Sequence, residues 1–139
     1  MKEFNSLDLE AVKADIKAHE GDDDLRASFC EPLKAASKDL QAAAMFFMER
    51  GMKNPNDALA GSYDFMHLFG LVALGYMWGR IVKAADANAA AGTGDKAVWE
   101  AKRTLGRFYM ERMLPETALR LARIKAGAET TMALPVEAF

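Results

Sequence analysis

The chain has 139 residues, 51% hydrophobic, 27% charged and 9% aromatic, which suffices for one domain with its own core and excludes a disordered chain. A formal charge of −2 excludes the broadly basic surface of a nucleic-acid-binding protein. The single cysteine, Cys30, excludes an internal disulfide and a cysteine metal cluster.

Gly21, Gly51, Gly92 and Gly127 each follow a helix-like stretch, where a left-handed cap favours glycine. They divide the chain into four predicted helices. The first spans 7–20 behind the cap candidates Asn5 and Ser6, with Leu9, Val12 and Ile16 as a narrow apolar stripe. The second spans 24–50 and repeats Phe29, Leu33, Ala36, Leu40, Ala43 and Phe47 at helical spacing. Pro32 lies inside it and predicts a kink, or a restart with Pro32 in the first turn. The third spans 54–91, with Asn54 as its cap and Pro55 at the first helical position. The fourth spans 95–125 with the seam Val98, Ala101, Leu105 and Phe108, and Pro115 should bend or break it. The tail 127–139 contains Pro135 and is expected to be irregular.

No strand pattern competes with these helices. The expected fold is all-α: one domain over 1–139, an antiparallel up-and-down bundle of three long helices plus a shorter N-terminal helix. Charge is uneven along it. Residues 1–31 hold nine acids and four bases, whereas residues 95–125 hold eight bases and four acids, which reads as two helices that attract each other or as solvated faces rather than as an anion site.

The segment from Asp57 to Ala84 stands apart. Between Phe65 and Gly79 it has no charged residue, and its apolar side chains circle the helix. A helix that is apolar all round is buried all round, which asks for a neighbour beyond this small chain. The uncharged run is shorter than the roughly 20 residues of a membrane span, so no membrane is expected. At about 100° per residue, Leu59, Ser62, Met66, Phe69, Ala73, Met77 and Arg80 share the face expected to point inward. The opposite face has Asp57, Asp64 and Asp86 around an apolar middle. Leu68, Leu71, Gly75, Trp78 and Val82 are therefore the expected interface residues.

Residues that could carry chemistry are few. His19 and His67 are the only histidines. Asp64 and His67 have the spacing of one imperfect half of a di-iron motif, without a second copy. Gly92-Thr93-Gly94 lies between helices and not after a strand, so it is no dinucleotide loop. Ala60-Gly61-Ser62-Tyr63-Asp64 has no preceding strand and is no nucleophile elbow. The nine methionines fit core filling better than haem ligation. The expectation is no catalytic, cofactor-binding or metal-ligating set. The N-terminus lacks the apolar stretch of a signal peptide, and the expected compartment is the cytoplasm.

Three stretches carry a resemblance: the segment from Asp57 to Ala84, Phe108-Tyr-Met-Glu-Arg-Met-Leu-Pro115-Glu-Thr, and Ile124-Lys-Ala-Gly-Ala-Glu-Thr-Thr-Met-Ala-Leu134. Together they resemble the C-terminal helical domain of bacterial acyl-CoA dehydrogenase-like flavoproteins of the 3-methylmercaptopropionyl-CoA dehydrogenase type. The resemblance implies a parent enzyme that uses FAD and a glutamate base, both sited mainly upstream. No glutamate of this chain matches that base. It further implies an accessory and oligomerisation domain that contacts the rest of the enzyme or a second subunit. A free-standing bundle that binds a small ligand or a partner protein is the alternative.

Overall fold

The computed structural model describes residue Ala14 and residues 23–139. The helix expected over 7–20, including His19, lies outside the described residues except for Ala14, which is helical. The described residues are all-helical and contain no strand.

The chain is helical through Asp23–Leu25 and a π-type turn at Arg26–Cys30, then enters α1, Glu31–Phe46. Pro32 sits in the first turn of α1. Proline has no N–H to donate, and the ladder re-registers beside it: Glu31 N–H bonds the carbonyl of Arg26, five residues back. The helix therefore continues past Pro32 with a local widening. A second π-type turn, Phe47–Gly51, follows α1.

The long helix α2 is Pro55–Ala90. Asn54, in extended conformation, accepts a hydrogen bond from the N–H of Asn56 at 3.2 Å and caps it. Beyond its end Gly92 has φ 66°, a left-handed conformation that a side chain resists. Helix α3, Lys96–Phe108, is capped by Asp95, whose Oδ1 accepts from the N–H of Ala97 at 2.9 Å.

The fourth segment is not one helix. A π-type turn at Tyr109–Met113 follows α3, and Leu114 N–H reaches five residues back to the carbonyl of Tyr109. Pro115 cannot donate at all, so the chain turns there and restarts as α4, Glu116–Ala126. The tail is built of turns, with one 3-10 turn at Val136–Ala138.

The core lies on one side of α2. Phe29, Leu33, Ala36, Leu40 and Ala43 supply its first wall, matching the seam predicted from spacing. Leu68, Val72 and Val82 come from α2, and Tyr109, Met110, Leu114 and Ile124 from the segments after α3. Glycines set how closely the helices approach. A Cβ on Gly106 would stand 2.6 Å from Val82 Cγ2, and one on Gly75 3.1 Å from Leu114 Cδ1. Any larger residue at Gly106 must push α2 and α3 apart.

Polar contacts tie the ends together. Arg103 on α3 bonds Asp24 at 2.6 Å and Asp86 of α2 at 2.9 Å, joining the acidic start of the chain to its basic later part. The hydrogen bond to Asp24 holds the Arg103 guanidinium above its already high pKa. Trp99 Nε1–H donates to the carbonyl of Thr93 at 2.7 Å, which fixes the loop between α2 and α3.

Candidate docking interface

The two faces of α2 are the reverse of the sequence expectation. Leu68 and Val82 are 0% exposed, Gly75 is buried, and Leu71 and Trp78 pack against the same core. Leu68, Gly75 and Val82 belong to the interior of this chain, and Leu71 and Trp78 are half-buried beside them. Leu59 and Met66, expected inward, are 70% and 71% exposed, and Phe69 and Met77 also face solvent.

The aspartates explain the reversal. They border no solvated face, because each is met from within the fold. Asp57 is buried, accepts a hydrogen bond from the N–H of Ala128 at 2.9 Å and lies 3.6 Å from Arg50. Asp64 pairs with Arg120 of α4 at 2.7 Å, with Arg123 3.8 Å away. Asp86 pairs with Arg103. An inward carboxylate with a hydrogen-bonded arginine satisfies the rule that buried charges are paired.

What α2 turns outward is a stripe of large apolar side chains: Leu59, Tyr63, Met66, Leu74, Met77 and Ile81. A second stripe lies on α3. Val98, Leu105 and Phe108, predicted as its inner seam, are all about half exposed, while Gly106 beside them is buried. Contiguous apolar surface of this kind marks an interaction site more often than it marks solvent-facing structure.

Several polar groups beside the α2 stripe meet partners within the chain. Arg120 also holds Glu116 at 2.6 Å and lies over the Tyr63 ring at 5.5 Å, and the Tyr63 and His67 rings meet tilted, with centroids 4.3 Å apart. The hydrogen bonds to Asp64 and then Glu116 raise the Arg120 pKa, so the cluster keeps its cation. Asp64 thus serves an ion pair, and no group of three or more His, Cys, Asp or Glu placed to hold a metal occurs among the described residues.

The described residues form recesses of modest size. One, of about 220 Å³, runs between Pro32, Ala36 and Asp39 on α1 and Leu114, Pro115 and Thr117. Thr117 Oγ1–H donates to Asp39 across it at 2.8 Å. A second recess, of about 300 Å³, lies between Arg50, Asn54, Asp57, Ala128 and Met132. The Gly92-Thr93-Gly94 loop does not fit a flavin phosphate either: its Thr93 carbonyl is bonded to Trp99, and a Cβ on Gly94 would meet the Trp99 ring at 3.1 Å.

Helix α2 is long and apolar enough to cross a membrane by length and composition, with a mean hydropathy of 1.4 in its most apolar window. Its buried side, however, is covered by α3 and α4, which carry Arg103, Arg107, Arg120, Arg123 and Lys125. Helices so charged would have to enter the bilayer with it, at several kcal/mol for each charge (about 2.5–3.5 by insertion scales).

A search of the curated proteins finds no match to the chain. A family model described as acetyl-CoA dehydrogenase C-terminal like matches residues 9–135. That match runs through all of α1 to α4, and the chain belongs to the acetyl-CoA dehydrogenase C-terminal-like family.

Proposed function

We propose that this chain is the accessory and oligomerisation domain of an FAD-dependent acyl-CoA dehydrogenase-like oxidoreductase, of the 3-methylmercaptopropionyl-CoA dehydrogenase type. In this reading it is not catalytic in isolation. FAD and the acyl-CoA thioester belong to the rest of the parent enzyme, and the assembly is cytoplasmic and homo-oligomeric. Its helices form an antiparallel up-and-down bundle whose outer faces meet that enzyme body or a second subunit.

The observation that carries the proposal is the pair of apolar stripes, Leu59 to Ile81 on α2 and Val98 to Phe108 on α3, displayed by a chain of this family. Such stripes are costly in water and favourable at an interface: burial yields roughly 25 cal/mol per Å² of apolar surface. The engagement of Asp64, His67 and the glycine loop in intrachain contacts favours this reading over a metal enzyme or a ligand-binding bundle.

The test uses this chain co-purified with the flavin-binding body encoded with it. Val98→Asp together with Phe108→Asp should release the body, while the wild-type chain retains it. The chain alone, supplied with FAD and a panel of acyl-CoA thioesters, should reduce no artificial electron acceptor. Turnover by the isolated chain would sink the accessory reading.

A further inference from the structure

We infer that the α2 stripe is a two-fold contact surface whose occupant is α2 of a second copy of this chain, running antiparallel across Gly70. The inference deepens the interface reading above but stands on the geometry of α2 alone.

The stripe is symmetric about Gly70. Its residues fall at Leu59, Tyr63, Met66, Gly70, Leu74, Met77 and Ile81, so the steps are 4, 3, 4 and then 4, 3, 4. At 100° per residue all seven lie within about 40° of the Gly70 direction. Leu59 to Ile81 is 22 residue steps in six turns, about 3.67 per turn, which is close to a straight helix and keeps the stripe from winding away. A two-fold axis through Gly70 sets Leu59 of one copy against Ile81 of the other, Tyr63 against Met77, and Met66 against Leu74. Each position meets a large apolar partner.

Gly70 itself has no intrachain explanation. A Cβ placed there meets nothing within 4 Å; the same is true of Gly79, which lies off the stripe on the far side of the helix, whereas Gly61, Gly75 and Gly106 are pressed by neighbouring elements. A glycine inside a helix destabilises it by about 1 kcal/mol relative to alanine. At the axis of a helix pair it removes the side chains that would otherwise collide, and lets the backbones approach to about 8 Å.

The area is sufficient. The six large residues are between 38% and 71% exposed, and Phe69 adds to them at the flank. At about 150 Å² for a fully exposed large side chain this amounts to at most some 580 Å² per copy, which over two copies clears the roughly 1,000 Å² expected of a specific interface. Orientation follows from charge. A parallel pair would place the two Arg80 side chains side by side, whereas the antiparallel pair sets them about 30 Å apart and opposes the helix dipoles.

The experiment is light scattering and sedimentation of the full chain across a dilution series, with three variants. The wild type should be a dimer of the 15.3 kDa chain. Gly70→Glu projects into open space within one copy, so the fold is kept, but it sets two carboxylates at the axis and should raise the dissociation constant by about 100-fold. Met66→Lys alone should weaken the dimer. Adding Leu74→Glu to it brings the new ammonium opposite the new carboxylate of the other copy and should restore most of the loss. Circular dichroism checks that each variant stays helical. A wild type that remains monomeric, or a dimer indifferent to Gly70→Glu, overturns the proposal, and so does a double variant that fails to recover. A monomer that sediments with phosphatidylcholine vesicles overturns it in favour of lipid. A wild-type chain that dimerises but retains no flavin-binding body would refute the enzyme assignment and leave this inference standing.

Discussion

Two leucines on α2, nine residues apart, test which side of the helix is the core. Leu68 is 0% exposed and sits in the central cluster, and Leu59 is 70% exposed. Replacing either with alanine removes the same three carbons and leaves helix propensity nearly unchanged. At Leu68 the lost transfer energy is about 2.4 kcal/mol, at roughly 0.8 kcal/mol per buried carbon, and the cavity left behind raises the total to about 3–4 kcal/mol. At Leu59 less than a third of the side chain is sheltered, which limits the loss to below about 0.7 kcal/mol. Urea unfolding followed by circular dichroism reads the difference. With a slope of about 1.5 kcal/mol per molar, the Leu68→Ala midpoint should fall by about 2 M, and the Leu59→Ala midpoint by less than about 0.5 M. Both are best made in the Gly70→Glu background, so that association does not contribute to the midpoint. Equal losses at the two positions, or a larger loss at Leu59, would refute the assignment of the core face.

Asp57→Ala should orphan the buried N–H of Ala128 and lower stability by about 1–3 kcal/mol, and limited proteolysis should then cut within residues 128–139 earlier than in the wild type. Tyr109 donates its hydroxyl to the carbonyl of Leu71 at 2.9 Å, and burial, followed by the charge of Glu116, pushes its pKa above 10.0. Because the folded value is the higher one, the stabilisation from neutral Tyr109 is complete below about pH 10 and is lost as pH rises through the folded pKa. Ultraviolet titration should show a late-ionising phenol that disappears in Tyr109→Phe; an unchanged titration in that variant would contradict the buried placement.

The sequence made the helices visible because their punctuation is local. Asn54-Pro55 and Asp95 act within two residues of where they stand, and so do Gly92 and Gly127. The seam Phe29 to Ala43 was also legible, since its opposite face is polar and periodicity has only one solution. The faces of α2 were not. Its apolar residues circle the axis, so periodicity gives no answer, and the aspartates were left to decide. Their partners Arg103 and Arg120 are 17 and 56 residues away in the chain, and nothing in the local pattern announces that an acid is headed inward toward a distant cation. Helix α3 failed differently. Val98, Ala101, Leu105 and Phe108 make a regular seam, but the helix packs through Gly106, a position that carries no hydrophobic signal. The exposed apolar surface was therefore legible as a property of α2 and illegible as a set of residues.

The three acids on the inner side of α2 have a mechanical consequence. A smooth apolar rod of 36 residues could slide one turn, about 5.4 Å, along its neighbours and exchange one set of greasy contacts for another at little loss. Asp57, Asp64 and Asp86 prevent this, because each is anchored to a different element: the turn after α1 and the tail, α4, and α3. They are spread over 30 positions, about 43 Å of rod. A one-turn slip would strand all three carboxylates, most severely Asp57, which is buried and would leave the N–H of Ala128 without its acceptor at about 1–3 kcal/mol. The acids thus act as detents that fix the axial setting of α2, and with it the height at which its outer surface is presented.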